Sequence, residues 1–274
     1  MIVPGKISKI RWCIFFSVLL ITVLGYIIPN TSFGLVVLIL MCAVVFLHGY
    51  EWYGFKNILF FFISSWIISN ALEAASIKYG FPFGFYYYTG GGKILGVPWM
   101  IMLAYFVACY VSWSMAHILL DQYSTKLKGN RILSLPVIAA FIMVMWDVVM
   151  DPIKSTINKE WIWPNGGRYF GVPISNFLGW YFVVFLIFIS FSLFLSRFNK
   201  NSTAPSNASI QSRLFWLEPV IIYALLSLTL FLTSLTGVQH KEILIPLGMI
   251  NVFTMGFVTV LALFLLSKKK FYKV

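Results

Sequence analysis

Charge is scarce in this sequence. Only 10% of its 274 residues are charged, where a soluble domain carries about a quarter. Acids are scarcer still, eight against twenty Lys and Arg. With 60% hydrophobic residues, so little polar cover excludes a water-soluble enzyme, a disordered chain and a soluble nucleic-acid-binding module. Histidine occurs three times, too few for a His-rich di-iron hydroxylase or desaturase. The three cysteines, Cys13, Cys42 and Cys109, all lie in apolar runs and imply no disulfide framework. No internal repeat of about 20–50 residues is visible.

Apolar sequence is what the chain has in abundance, with a mean hydropathy of +0.89. Eight stretches approach the roughly 20 residues needed to cross a bilayer: approximately 11–28, 34–50, 56–75, 96–120, 132–150, 172–196, 214–236 and 243–267. Lys6, Lys9 and Arg11 before the first resemble the start of a signal peptide, but Gly25-Tyr26-Ile27-Ile28-Pro29 offers no small-residue cleavage site. It is read as a membrane helix. The second stretch is short and ends at His48 and Glu51. The expectation is one all-α domain over 1–274, a polytopic bundle of about eight transmembrane helices in the plasma membrane. With a cytoplasmic N-terminus, 14 Lys and Arg fall inside and 6 outside. This positive-inside bias predicts that both termini are cytoplasmic and makes the +12 net charge topological. The Asn/Ser-rich stretch 199–212 reads as a flexible cytoplasmic loop.

Two outer loops are aromatic and glycine-rich where charge is usual. One runs from Lys78 to Leu95, with Tyr86-Tyr87-Tyr88 and Gly90-Gly91-Gly92; the other runs from Asp151 to Gly171, with Trp161 and Trp163. Backbone that dips toward lipid must find internal partners, so both are expected to fold back at the interface.

The acids carry the chemistry. A carboxylate at the bilayer centre costs about 2.5–3.5 kcal/mol on insertion scales, which makes an intramembrane acid a functional candidate. Glu73 falls in the last turn of the third span, and Asp147 and Asp151 close the fifth, four apart on one face. Asp151 before Pro152 also suits a helix end at the wet interface, and Glu73 suits the headgroup layer. Asp147 is embedded between Trp146 and Val148 in apolar sequence, where low polarity favours a neutral acid able to donate a proton. The Asp147-x-x-x-Asp151 interval also matches a Mg²⁺-diphosphate motif, but a second such motif is not present. At the inner end, His48 with Glu51 and His117 with Asp121 share helix faces and allow a metal site; ordinary interfacial polarity is the favoured reading of all four. His240 and Glu242 lie in a short outer loop. Aromatics beside acids suit a tunnel for a long apolar substrate, with π faces to stabilise a carbocation.

Trp146-Asp147-Val148-Val149-Met150-Asp151-Pro152, Trp161-Ile162-Trp163 and the run Gly167-Arg168-Tyr169-Phe170-Gly171-Val172-Pro173-Ile174-Ser175-Asn176-Phe177-Leu178-Gly179-Trp180 resemble the membrane carotenoid biosynthesis protein family, which includes carotenoid 1′,2′-hydratases of the bisanhydrobacterioruberin hydratase type. Glu73 through Tyr79-Gly80 to Leu95-Gly96-Val97-Pro98 is similar too, so the family-like core covers about 70–182. The resemblance implies hydration of the terminal isopropylidene double bond of an acyclic or monocyclic carotenoid, without metal or other cofactor. Its partners would be the carotenoid, membrane lipid and other enzymes of the same pathway. On this reading Asp147 is the acid, Asp151 and Glu73 complete a proton network, and Asn176 orients water. Tyr86, Tyr87, Trp146, Trp161, Trp163, Arg168, Tyr169 and Trp180 would bind substrate, with Arg168 also able to keep a carboxylate ionised. A proton-initiated carotenoid or terpene cyclase, a prenyltransferase and a non-catalytic transporter or lipid-binding protein are the alternatives.

Overall fold

A computed structural model describes residues 4–27, 33–199 and 212–269. Most of the predicted flexible loop, 200–211, lies outside the described residues. The helices are α1 Pro4–Ile27, α2 Phe33–Tyr53, α3 Phe55–Tyr79, α4 Trp99–Leu119, α5 Arg131–Asp151, α6 Ile174–Phe198, α7 Arg213–Thr236, α8 Lys241–Asn251 and α9 Phe257–Lys268. A π-helical turn, Pro152–Ile157, prolongs α5, and another, Val252–Gly256, joins α8 to α9 as one rod. Among the described residues, seven rods are long and apolar enough to cross a membrane; α1 is not one of the seven. Apolar sequence takes this form because helices satisfy their backbone groups internally where water is absent.

α4 is the axis: 83% of its apolar window is buried inside the protein, against 22% for α2. It packs against α2, α3, α5 and α7, while α5–α6 and α3–α6 contacts close a four-helix group around its first half. Four two-residue strands, β1 Tyr87–Tyr88, β2 Lys93–Ile94, β3 Val97–Pro98 and β4 Trp161–Ile162, lie in the two aromatic loops. β2 and β3 form a small hairpin, and β1 pairs antiparallel with β4, Tyr88 opposite Trp161. The two loops are thereby joined into one cap.

Two helix ends differ from the sequence expectation. α3 runs on to Tyr79 and stops where Gly80, at φ 76°, donates its N–H to Ser76 O at 2.8 Å. Glu73 is therefore nearly two turns inside α3. α5 does not stop at Pro152 either. The missing proline N–H and its clash with the preceding turn are absorbed by widening to π geometry, with Asn158 N–H reaching Ile153 O at 2.9 Å. Asp151 thus belongs to a continuous rod reaching Ile157, buried rather than at a wet helix end.

The end of the bundle away from the aromatic loops holds a polar group. Arg11, 1% exposed, forms an ion pair with Glu51 of α2 and donates Nε and Nη2 to Glu218 of α7 at 2.8 and 2.9 Å. It is a buried clamp on α1, α2 and α7, and not the loop cation that the topology count took it for.

Candidate active site

At the opposite end, α3, α4, α5, α6 and the loop cap enclose a cavity of about 50 Å³. Glu73, Asp151 and Asn176 form its polar wall; Phe83, Tyr86, Tyr88, Tyr105, Trp146, Trp161, Trp163 and Trp180 supply the aromatic wall. Met143 and Met150 fill the side toward α5.

Glu73 is ringed by phenols. Tyr86 and Tyr88 donate to its Oε2, the latter at 3.1 Å, and Tyr105 donates to Oε1 at 2.6 Å. Burial and the Glu73 carboxylate hold the Tyr88 phenol well above its usual pKa, so it remains a donor. Asp151 accepts Nε1–H of Trp161 at 3.0 Å on Oδ1 and the Asn176 amide on Oδ2. The same Asn176 nitrogen reaches Asp147 Oδ2 at 3.2 Å. Four-residue spacing on α5 thus turns both aspartates toward one amide of α6. Among the described residues, none of the three acids forms an ion pair with Lys or Arg. Carboxyl groups buried together without a cation are costly as multiple anions, and shared protons relieve that cost.

The predicted residues separate into groups. Glu73, Asp151, Asn176, Tyr86, Trp146, Trp161, Trp163 and Trp180 meet at the cavity. Asp147 is fully buried and bonded to Asn176 but does not line the cavity; among the described residues its Oδ1 has no hydrogen-bond partner. Tyr87 alternates outward from Tyr88 and is 51% exposed. Arg168 is exposed and does not line the cavity. Tyr169 is a brace, its hydroxyl on Val148 O at 3.1 Å. Phe83, Tyr88, Ile101, Ala104, Tyr105, Met143 and Met150 also line the cavity and are not among the site residues expected from the sequence. Tyr105 lies nearly two turns into α4 within generic apolar sequence, and its pairing with Glu73 depends on how α3 and α4 pack.

Within the run from Gly167 to Trp180, close contacts and hydrogen bonds fix the turn before α6 and join α6 to the loop cap. Gly167 lies against the backbone of Val172 and Pro173, leaving no room for a Cβ. Tyr169 and Val172 exchange backbone bonds of 3.2 and 2.8 Å, closing the turn that launches α6. Ser175 Oγ donates to Phe83 O at 2.8 Å, tying α6 to the other loop. Asn176 joins the aspartates. Gly179 lets that loop approach, since a Cβ there would come within 2.9 Å of Pro82 O. Trp180 stacks on Tyr105, with centroids 4.7 Å apart and planes 10° from parallel.

A family model described as carotenoid biosynthesis protein matches residues 33–262. The chain belongs to the carotenoid biosynthesis protein family. The match spans α2 through the first half of α9, well beyond the 70–182 core that the motifs marked. No curated protein and no solved structure matches the chain. Membership gives the cavity a context in carotenoid biosynthesis within a multi-pass membrane protein.

His48 and His117 of this carotenoid biosynthesis protein are engaged elsewhere. His48 Nδ1 meets Tyr110 Oη at 2.6 Å and its Nε2 meets Phe215 O at 3.0 Å. His117 is bonded to Gln122 O and, at 3.3 Å, to Tyr53 Oη. Asp121 points away to Lys269 at 2.6 Å. The geometry that allowed a metal site from sequence is used instead for packing α2, α4 and α7. Among the described residues, no group of three or more His, Cys, Asp or Glu is arranged to hold a metal ion.

Proposed function

We propose that this protein is a carotenoid hydratase of the plasma membrane, adding water to the terminal isopropylidene double bond of an acyclic or monocyclic carotenoid. The observation that carries this reading is a small, aromatic-walled cavity in which two carboxyl groups face the same space. A volume of about 50 Å³ holds a water molecule, whose share of liquid volume is about 30 Å³. The alkene end then requires Met143 and Met150 to move, which unbranched thioether side chains do readily.

In the proposed reaction, protonated Asp151 gives its proton to the less substituted alkene carbon. The π electrons form the new C–H bond and leave a tertiary cation. Water adds to that cation, and its surplus proton returns to Asp151, so the net change is one water added. A general acid must reach the reacting atom; Asp151 lines the cavity and Asp147 does not, so the donor role moves from Asp147 to Asp151. Asn176 donates to Asp151 and holds it in place, and Asp147 in turn holds Asn176. Glu73, with three phenolic donors and no cation, is the fixed counter-charge for the carbocation, assisted by the faces of Trp146, Trp163 and Trp180 at about 0.5–2 kcal/mol each. No step in this sequence requires a cofactor.

A cyclase shares the first step and differs in what quenches the cation. The test is expression in a lycopene-accumulating bacterial host with mass analysis of the pigments. A gain of one water per modified end is expected. Unchanged mass with a new pigment indicates cyclisation, a five-carbon gain indicates prenyl transfer, and an unaltered profile across several acyclic carotenoids favours a carrier.

A further inference from the structure

The cavity is closed on the loop side. Phe83, Tyr86, Tyr88, Trp161 and Trp163 are all buried, and they are held as one lid by the β1–β4 pair, by Thr89 Oγ1 on Lys159 O at 2.9 Å and Glu160 O at 3.0 Å, and by Ser175 on Phe83 O. Of the lining residues only Ile101 and Ala104 of α4, Trp146 of α5 and Trp180 of α6 are partly exposed. All four lie within rods long and apolar enough to cross the membrane. At 1.5 Å per residue, Ala104 sits roughly 8 Å below the start of α4.

We infer that Ile101, Ala104, Trp146 and Trp180 rim a lateral portal through which the end of a long apolar polyene passes from the hydrocarbon core of the bilayer into the cavity. The portal rests on the proposed substrate but not on the fate of the double bond. Ala104 is the open sill of the portal, since it is the smallest side chain on the rim. Trp146 and Trp180, whose rings meet edge to face at 6.2 Å, form its aromatic jamb. A polyene reaching in from the side leaves most of its length in lipid, so only one terminus needs to be desolvated by the protein. The chemistry of recognition is correspondingly limited to the last isoprene unit.

The portal is testable without any reading of product. Membranes containing the protein are irradiated with a diazirine-bearing fatty acid, with and without lycopene, and tagged residues are mapped by mass spectrometry. The expected pattern is tagging at Ile101, Ala104, Trp146 and Trp180 that lycopene suppresses several-fold, with Phe83, Tyr86, Trp161 and Trp163 untagged in both. Tagging of the lid aromatics, or rim tagging that lycopene leaves unchanged, overturns the proposal. In the pigment assay, Ala104→Trp is expected to lower conversion at least tenfold, while Leu178→Trp, on a 69% exposed position of α6, leaves it unchanged. Full conversion by Ala104→Trp also overturns the portal. If lycopene protects the rim yet no pigment is ever converted, the portal stands and the hydratase reading fails.

Discussion

Two aspartates one helical turn apart hold different positions because one amide separates them. Asp151 touches the cavity directly; Asp147 touches it through Asn176. Asp151→Asn is expected to lower pigment conversion by at least a hundredfold, the lower range for loss of a general acid, at unchanged membrane levels. Asp147→Asn is expected to keep measurable conversion, reduced roughly tenfold, because it disturbs the position of Asn176 and leaves the donor in place. The reverse ranking in the same assay would return the donor role to Asp147. The sequence marks both aspartates by their apolar surroundings, and their shared face follows from the four-residue spacing. Which of them faces the cavity depends on the crossing of α5 and α6, which the local sequence does not encode.

At the scale of elements, the site is assembled by close approach. Gly179 presses α6 against the loop of Pro82 and Phe83, and Phe83 in turn donates its N–H to Ser76 Oγ at 3.0 Å. Gly179→Val is expected to push this loop off α6, lowering conversion at least tenfold and exposing the loop to limited proteolysis in intact vesicles. Protease resistance equal to that of the natural protein would contradict that packing. The helices themselves are legible from hydropathy because lipid permits few alternatives to them. Their ends are less so: Pro152 signals a stop, yet a π turn carries the rod past it, and Gly80 sets the end of α3 later than the apolar pattern does. The aromatic loops are recognisable as unusual. Their pairing, Tyr88 opposite Trp161, joins residues too far apart for any local signal.

Over the whole molecule, polar residues gather at two ends of an apolar bundle and do different work. Among the described residues, one end leaves acids without cations around a cavity; the other sets Glu51 and Glu218 against the single positive charge of Arg11. Removing one member of a buried ion group costs about 3–5 kcal/mol, because the remaining charges are left unpaired. Arg11→Met is therefore expected to lower the Tm in detergent by roughly 10 °C, and adding Glu51→Gln and Glu218→Gln is expected to recover most of it. A Tm unchanged in the single variant would remove Arg11 from the list of stabilising contacts. Charge counting placed Arg11 correctly at one end of the bundle. It could not place it inside, because partners on α2 and α7 lie distant in sequence.

The central claim is that a proton from the protein and an oxygen from water are added across an alkene in the cavity. The most direct test follows both atoms: membranes with the natural protein and an acyclic carotenoid are incubated in deuterated, oxygen-18 water, and the product is examined by mass spectrometry. The account predicts one solvent deuterium on the carbon next to the new tertiary alcohol and one oxygen-18 in that alcohol per modified end, with neither label acquired by the Asp151→Asn variant. A hydroxylated product whose oxygen is unlabelled, or labelled product formed equally well without Asp151, would contradict it.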